Sequence, residues 1–161
     1  MKVIMPGSYD PVTVGHIEMI RRVAAIHDEV FVVCFINPEK EYMFPLQDRV
    51  AMLMIATEDM DNVIVSYSTG LVIDYMRDHG IDRIVKGYRT EEDLAWEKYQ
   101  AEYNLTHGGY ETDLIKCEEG MEQISSTVAR ADLLAGRDKP RGLSPEVAEY
   151  IRSLSRDNQV N

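Results

Sequence analysis

Short apolar runs and segments of helical periodicity take turns along nearly the whole chain, and this alternation restricts the fold more than any other feature. Val3–Met5 is an apolar run stopped by the breakers Pro6 and Gly7. Ile17, Ile20, Val23, Ala24 and Ile26 follow close to a 3.6-residue period, which predicts a helix over Val14–His27. Val30–Ile36 is almost wholly apolar and rich in valine, as a strand buried on both faces must be, and Asn37-Pro38 ends it. The pattern continues with a helix over Leu46–Thr57, a strand at Val63–Ser66, a helix over Leu71–His79 and a strand at Arg83–Lys86. A helix over Glu91–Leu105, a strand at Thr112–Lys116 and a helix beginning near Ser125 come next. A last helix over Ser144–Leu154 opens on a Ser-Pro pair suited to N-cap and N1.

Strands alternating with helices predict an α/β fold, a mostly parallel doubly wound sheet with helices on both faces. No repeat, linker or low-complexity tract interrupts the 161 residues, so a single domain is expected over 1–161. The sequence makes five strands but leaves their spatial order open. Sheets of this kind bind ligands beyond the carboxyl ends of their strands, where the order reverses.

Composition narrows the function classes. A net charge of −11 argues against nucleic-acid or anionic-membrane partners, which need a basic surface. A small anion is still compatible, because local donors work on an acidic body. Cys34 and Cys117 are far apart and outside any C-x-x-C pair, the pattern of free thiols in a reducing compartment. With no apolar run suited to a signal peptide or membrane span, a cytoplasmic location is expected. His27, His79 and His107 lack metal-ligand spacing, no protein metal site is expected, and Met52, Met54 and Met60 read as core filling.

Two segments carry the chemistry. The loop after the first strand runs Gly7-Ser8-Tyr9-Asp10-Pro11-Val12-Thr13-Val14-Gly15-His16. Gly7 allows close backbone approach, Ser8 offers a hydroxyl, and His16 falls in the first turn of the next helix, where free N–H groups favour anions. Thr13 and His16, three apart, face the same side of that turn. The second segment is Ile124-Ser125-Ser126-Thr127-Val128-Ala129-Arg130. Hydroxyls at a helix start with an arginine one turn later make a phosphate cradle without a Walker lysine. Taken alone, the segment reads more readily as an ordinary N-cap; together with the first loop, the cradle reading prevails.

The loop resembles the T/H-x-G-H signature of the nucleotidyltransferase superfamily, and Ile124–Arg130 is similar to its I-S-S-T-x-x-R motif. Further matches, as far as Gly142-Leu143-Ser144-Pro145-Glu146-Val147, make the chain resemble the bacterial phosphopantetheine adenylyltransferase family. That resemblance implies a Rossmann-like fold of five parallel strands and a hexamer. It implies transfer of AMP from Mg²⁺-bound ATP to 4′-phosphopantetheine, giving dephospho-coenzyme A and pyrophosphate in coenzyme A biosynthesis.

It also implies roles for residues. His16 matches the histidine that stabilises the transition state at the α-phosphate, and Lys40 the lysine that bridges the acceptor and nucleotide phosphates. Gly7, Ser8 and Tyr9, then Gly87, Arg89, Asp93 and Glu97, and then Ile124, Ser125, Ser126, Thr127 and Arg130 fall on nucleotide-contacting positions. Ser8, Lys40, Leu71, Val72, Lys86 and Asn104 fall on acceptor-side positions.

Several positions depart from the family pattern. Ser8 replaces its threonine, Tyr9 its phenylalanine, and Lys86 an arginine, which exchanges a planar fork for a point charge. Leu94-Ala95-Trp96 replaces Phe-Glu-Tyr, Met121 stands near a tryptophan position and Ala131 replaces a glutamate. These last changes fall on the acceptor and adenine walls. A related adenylyltransferase with another phosphorylated acceptor, such as nicotinate mononucleotide, is therefore the rival reading. The cytidylyl branch acting on glycerol phosphate is disfavoured, since its R-T-E-G is absent. A nucleotide-binding paralogue without turnover is the rival from outside enzymology.

Overall fold

Strand β1 (Lys2–Gly7) lies at the centre of a parallel sheet whose order is β3-β2-β1-β4-β5. The computed structural model describes residues 1–160, and among them the expected alternation is complete. After β1 come α1 (Val14–Ala24), β2 (Glu29–Phe35), α2 (Leu46–Ala56), β3 (Val63–Ser68), α3 (Val72–His79), β4 (Arg83–Tyr88), α4 (Glu91–Gly108), β5 (Thr112–Lys116), α5 (Ser126–Leu134) and α6 (Pro145–Val160). Among the described residues no helix is long and apolar enough to cross a membrane.

The continuous apolar strands are explained by two cores, one on each side of the sheet. Side chains alternate along a strand. Val3 and Met5, with Val30, Val32 and Cys34, face α1, α2 and α6 through Ile20, Val23, Met52, Leu53 and Val147. Ile4, Phe31, Val33 and Ile84 face the other way, against Met76 of α3 and Ile81. Each fully buried Val, Leu or Ile contributes about 1.5–3 kcal/mol relative to exposure. A polar residue on either face of β1 or β2 would forfeit this.

The chain steps outward from β1 to β2 to β3, then crosses back to place β4 on the opposite side of β1. The order therefore reverses between β1 and β4, where an open sheet leaves a crevice at its carboxyl edge.

Several boundaries differ from expectation. Helix α1 stops at Ala24, short of His27, because Asn62 on the approach to β3 donates its amide to the carbonyls of both Ala24 and His27. Strand β4 continues to Tyr88 through pairing with Ile115 and Lys116, which brings Gly87 to the end of a strand. Helix α4 runs one turn past Leu105, to a left-handed Gly109 cap with φ 74°. Met52 and Met60 fill the core as expected, whereas Met54 is exposed on the outer side of α2. Cys34 and Cys117 are both buried free thiols.

Candidate active site

At the carboxyl ends of β1 and β4, three helix starts converge on one cavity of about 300 Å³, at the small end of the range for ligand sites. Gly7, Ser8, Tyr9, His16, Lys86, Gly87, Arg89, Asp93, Glu97, Ile124, Ser125, Ser126 and Thr127 all line it. Segments more than a hundred residues apart in sequence thus meet in one place. Arg130 and Lys40 are not part of the lining but touch it through Thr127 and Ser8. Leu71 and Asn104 are also not among the lining residues, and Val72, at the start of α3, packs against the core on that side of the sheet. Thr13, Met19, Cys117 and Met121 are also part of the wall.

The start of α1 explains the state of His16. Thr13 is the N-cap and His16 is N3, and together they form a capping box. The Thr13 N–H donates to Nδ1 of His16 at 3.0 Å, and the Thr13 hydroxyl lies 3.1 Å from the same nitrogen. A nitrogen that accepts a backbone N–H cannot carry a proton, so neutral His16 holds its hydrogen on Nε2. Burial, and then the nearby charges of Lys86 and Arg89, lower its pKa to about 4. At neutral pH the ring is an uncharged donor.

Between β1 and α1 the loop is tied back by its own carbonyls. Arg49 Nη1 donates to Ser8 O at 3.0 Å, Arg130 Nη1 to Asp10 O at 2.9 Å, and the Ser126 hydroxyl to Pro11 O at 2.8 Å. Oxygens that would repel an anion are occupied elsewhere. Tyr9 takes the left-handed region at φ 48°, a conformation that costs a non-glycine residue roughly 1–2 kcal/mol. Its buried hydroxyl donates to Met5 O at 2.8 Å and its ring meets the His16 ring edge-on at 5.0 Å. Burial, then Cys34, push the Tyr9 phenol above its ordinary range. The Asp10–Pro11 peptide is cis.

At the start of α5, Ser125 is the N-cap and accepts the Val128 N–H at 3.1 Å. The Thr127 hydroxyl receives Arg130 Nη2 at 3.2 Å. The cap and cradle readings are thus compatible. Hydroxyls shape the turn, while the N–H groups of Ser126 and Thr127, without intrahelical acceptors, remain for an anion. Behind α5, the buried carboxylate of Asp132 grips Arg141 through two bonds of 2.9 Å and its N–H at 2.8 Å. This clamp holds the following loop so that Gly142 O accepts the Val14 N–H of α1 at 2.9 Å.

On the β4 side the charges are paired. Lys86 Nζ lies 3.6 Å from Glu97 Oε1, and burial raises the Glu97 pKa against the opposing pull of Lys86. The second oxygen, Oε2, is buried without a hydrogen-bond partner among the described residues. Arg89 lies 3.5 Å from Asp93 and donates to Glu122 O at 2.9 Å. Gly87 leaves room for Met19, since a Cβ there would fall on Sδ and force the flexible thioether to move. Among the described residues no cluster of three or more His, Cys, Asp or Glu could hold a metal ion.

Two buried charged residues that sequence reasoning passed over hold the Ser8 loop, Asp10 from within it and Arg49 from α2. Asp10 accepts the N–H groups of Met43 and Phe44 at 2.8 and 2.9 Å. Arg49 is 2% exposed and shares the inner face of α2 with Met52 and Leu53. A charge at i on the stripe completed by i+3 and i+4 was the available signal.

Neutral and cationic donors around a crevice at the strand ends suit a phosphorylated ligand, and a family comparison agrees with the geometry. The model of the family described as cytidylyltransferase-like matches residues 4–132, which run from within β1 through most of α5 and include both motif segments. The chain belongs to the cytidylyltransferase-like family, whose general chemistry is nucleotidyl transfer.

Proposed function

We propose that the protein transfers the AMP group of ATP to 4′-phosphopantetheine, with release of pyrophosphate. The observation that carries this reading is the setting of His16. It is a neutral Nε2–H donor between the starts of α1 and α5, with Lys86 and Arg89 nearby. A phosphate oxygen of the acceptor attacks the α-phosphorus as the bond from that phosphorus to the bridging oxygen breaks, and pyrophosphate leaves with the bonding electrons. The attacking oxygen already carries charge, so no enzyme nucleophile or base is required. The barrier is repulsion between anions, which fixed donors lower without reorganisation. His16 serves the α-phosphate, and the N–H groups opening α5 serve the outer phosphates. ATP arrives as its Mg²⁺ complex, in which phosphate oxygens and water supply most of the ligands.

Lys40 supports the acceptor assignment, since its Nζ lies 3.3 Å from Ser8 Oγ at the edge of the cavity. Glu97 Oε2 is an unused acceptor suited to a nucleoside hydroxyl or amine. Hexamer formation belongs to the same proposal and is supported by Trp96, Tyr99 and Tyr103. These lie half exposed or more at i, i+3 and i+7 of α4, a helix that buries no residue fully. Cytoplasmic coenzyme A biosynthesis is the setting such a reaction implies.

The test is pyrophosphate release with MgATP fixed and the acceptor varied among phosphopantetheine, nicotinate mononucleotide and glycerol phosphate. Phosphopantetheine should give the highest kcat/KM. A preference of tenfold for another acceptor, about 1.4 kcal/mol in the transition state, overturns the assignment but leaves the chemistry. ATP binding without pyrophosphate from any acceptor identifies a binding protein.

A further inference from the structure

We infer that Arg49 is a positioning residue that sets the Lys40 loop against Ser8, and so governs how the acceptor phosphate is presented. The inference rests on the adenylyl-transfer reading above. A buried arginine normally faces a carboxylate, because desolvating a cation is costly unless it is paired. Arg49 forms no ion pair among the described residues, although it is 2% exposed. Its guanidinium is instead divided between the two loops that frame the cavity mouth. Nη1 donates to Ser8 O at 3.0 Å, and Nε donates to Phe44 O at 3.1 Å. The flat face of the group lies 3.9 Å from the centre of the Tyr42 ring.

Tyr42 extends this contact toward the site. Lys40 Nζ lies 5.5 Å from the same ring, and the Tyr42 hydroxyl accepts the Asn37 N–H at 2.9 Å. Asp10 ties the loops from the other side through the Met43 and Phe44 N–H groups. Residues 37–44 have no helix or strand of their own. Their shape depends on these bonds, and Lys40 Nζ ends 3.3 Å from Ser8 Oγ as the result. A planar fork satisfies two carbonyls and a ring face at once, whereas a lysine provides charge at a single point.

Replacing the fork should loosen one loop and leave the β4 and α5 sides of the site untouched. Arg49→Lys keeps the charge, and Arg49→Gln keeps a donor if the lysine folds poorly. In Arg49→Lys, hydrogen exchange at the Met43 and Phe44 amides should quicken tenfold or more, with the Ser126 and Thr127 amides unchanged. The KM for phosphopantetheine should rise roughly tenfold while the ATP dissociation constant stays within twofold. With Lys40→Ala already present, Arg49→Lys should add less than threefold to the loss in kcat/KM. Additive losses, or acceptor and ATP parameters failing together, would reduce Arg49 to general packing and overturn the inference. Faster exchange in a protein that never uses phosphopantetheine leaves Arg49 as the loop's anchor and overturns the acceptor reading instead.

Discussion

Thr13 donates its N–H to Nδ1 of His16, so one residue both caps α1 and fixes which nitrogen of the catalytic candidate carries hydrogen. In the more familiar capping box the N3 side chain is a carboxylate or amide. Here N3 is an imidazole, and the capping bond leaves a donor at Nε2. Local helix chemistry and site chemistry are the same contact.

In the proposed reaction that donor serves charge that develops only during transfer. His16→Ala should lower kcat about 10²–10³-fold, roughly 3–4 kcal/mol, while ATP affinity changes little. Steady-state kinetics beside equilibrium ATP binding makes the comparison. A variant with most of its turnover and an unaltered melting curve removes His16 from the reaction.

The lowered pKa of His16 also predicts a stability signature. Unfolded, the ring takes a proton near the ordinary 6.5; folded, it does so only near about 4. Between those values the unfolded state holds more protons, so this contribution is complete above pH 6.5 and is lost as the pH falls toward 4. It amounts to at most about 3 kcal/mol, at 1.36 kcal/mol per pKa unit. Urea denaturation at pH 7 and pH 4.5 should show wild type losing more stability than His16→Asn. Parallel losses in the two proteins contradict the neutral, partly buried ring.

The space at Gly87 leads to a prediction involving Met19. A methyl group on Gly87 displaces the Met19 thioether from the cavity wall, where Met19 is 8% exposed. Because a thioether is flexible, Gly87→Ala should fold but narrow the pocket and weaken ATP binding about tenfold. Met19→Ala should restore much of that affinity in the double variant. A double variant as weak as Gly87→Ala assigns the effect to the β4 backbone. Equilibrium binding of ATP to the three variants decides it.

Much of this site could be read from the sequence because its parts are local. Val30–Cys34 and Val3–Met5 announce buried strands, and Gly7 and His16 bracket the turn between a strand and a helix. Ser125 was legible both as a cap and as part of a phosphate cradle, and the fold shows that its hydroxyl serves the cap while the turn keeps free N–H groups. What the sequence could not provide were contacts set by the sheet order. Asn62 ends α1 from thirty-eight residues away, and Arg49 reaches back forty-one residues to Ser8. The Arg130 guanidinium reads as a phosphate ligand from its motif, yet it donates to Asp10 O, a bond visible only once α5 is docked. Leu71 and Asn104 are likewise placed outside the cavity lining by the paths of α3 and α4, which periodicity alone does not orient.

The pairing of Lys86 with Glu97 yields the sharpest prediction about the β4 side. Lys86 supplies positive charge to the pocket proposed to hold two anions, but it is also the neighbour that opposes the burial of Glu97. Removing it has two consequences. Lys86→Ala withdraws the proposed phosphate donor and removes the ion-pair partner of Glu97, whose other oxygen already lacks a hydrogen bond among the described residues. Its pKa should rise further, since the effect of burial then goes unopposed. Lys86→Arg keeps the charge and adds a fork that can hold Glu97 and a phosphate oxygen together. The arginine variant should therefore match or exceed wild type in kcat/KM for the acceptor, and the alanine variant should lose about 10²-fold. Glu97→Gln separates the two effects. If Lys86 serves mainly to hold Glu97, then Lys86→Ala in the Glu97→Gln background should cost almost nothing. If it serves the substrates, most of the loss should persist. A pH series of kcat/KM adds an independent reading: the acid limb should move to higher pH in Lys86→Ala, and that movement should be absent when Lys86→Ala is made in the Glu97→Gln background. An acid limb identical in all four proteins shows that Glu97 does not titrate in the working range, and the Lys86 effect is then one of phosphate binding alone.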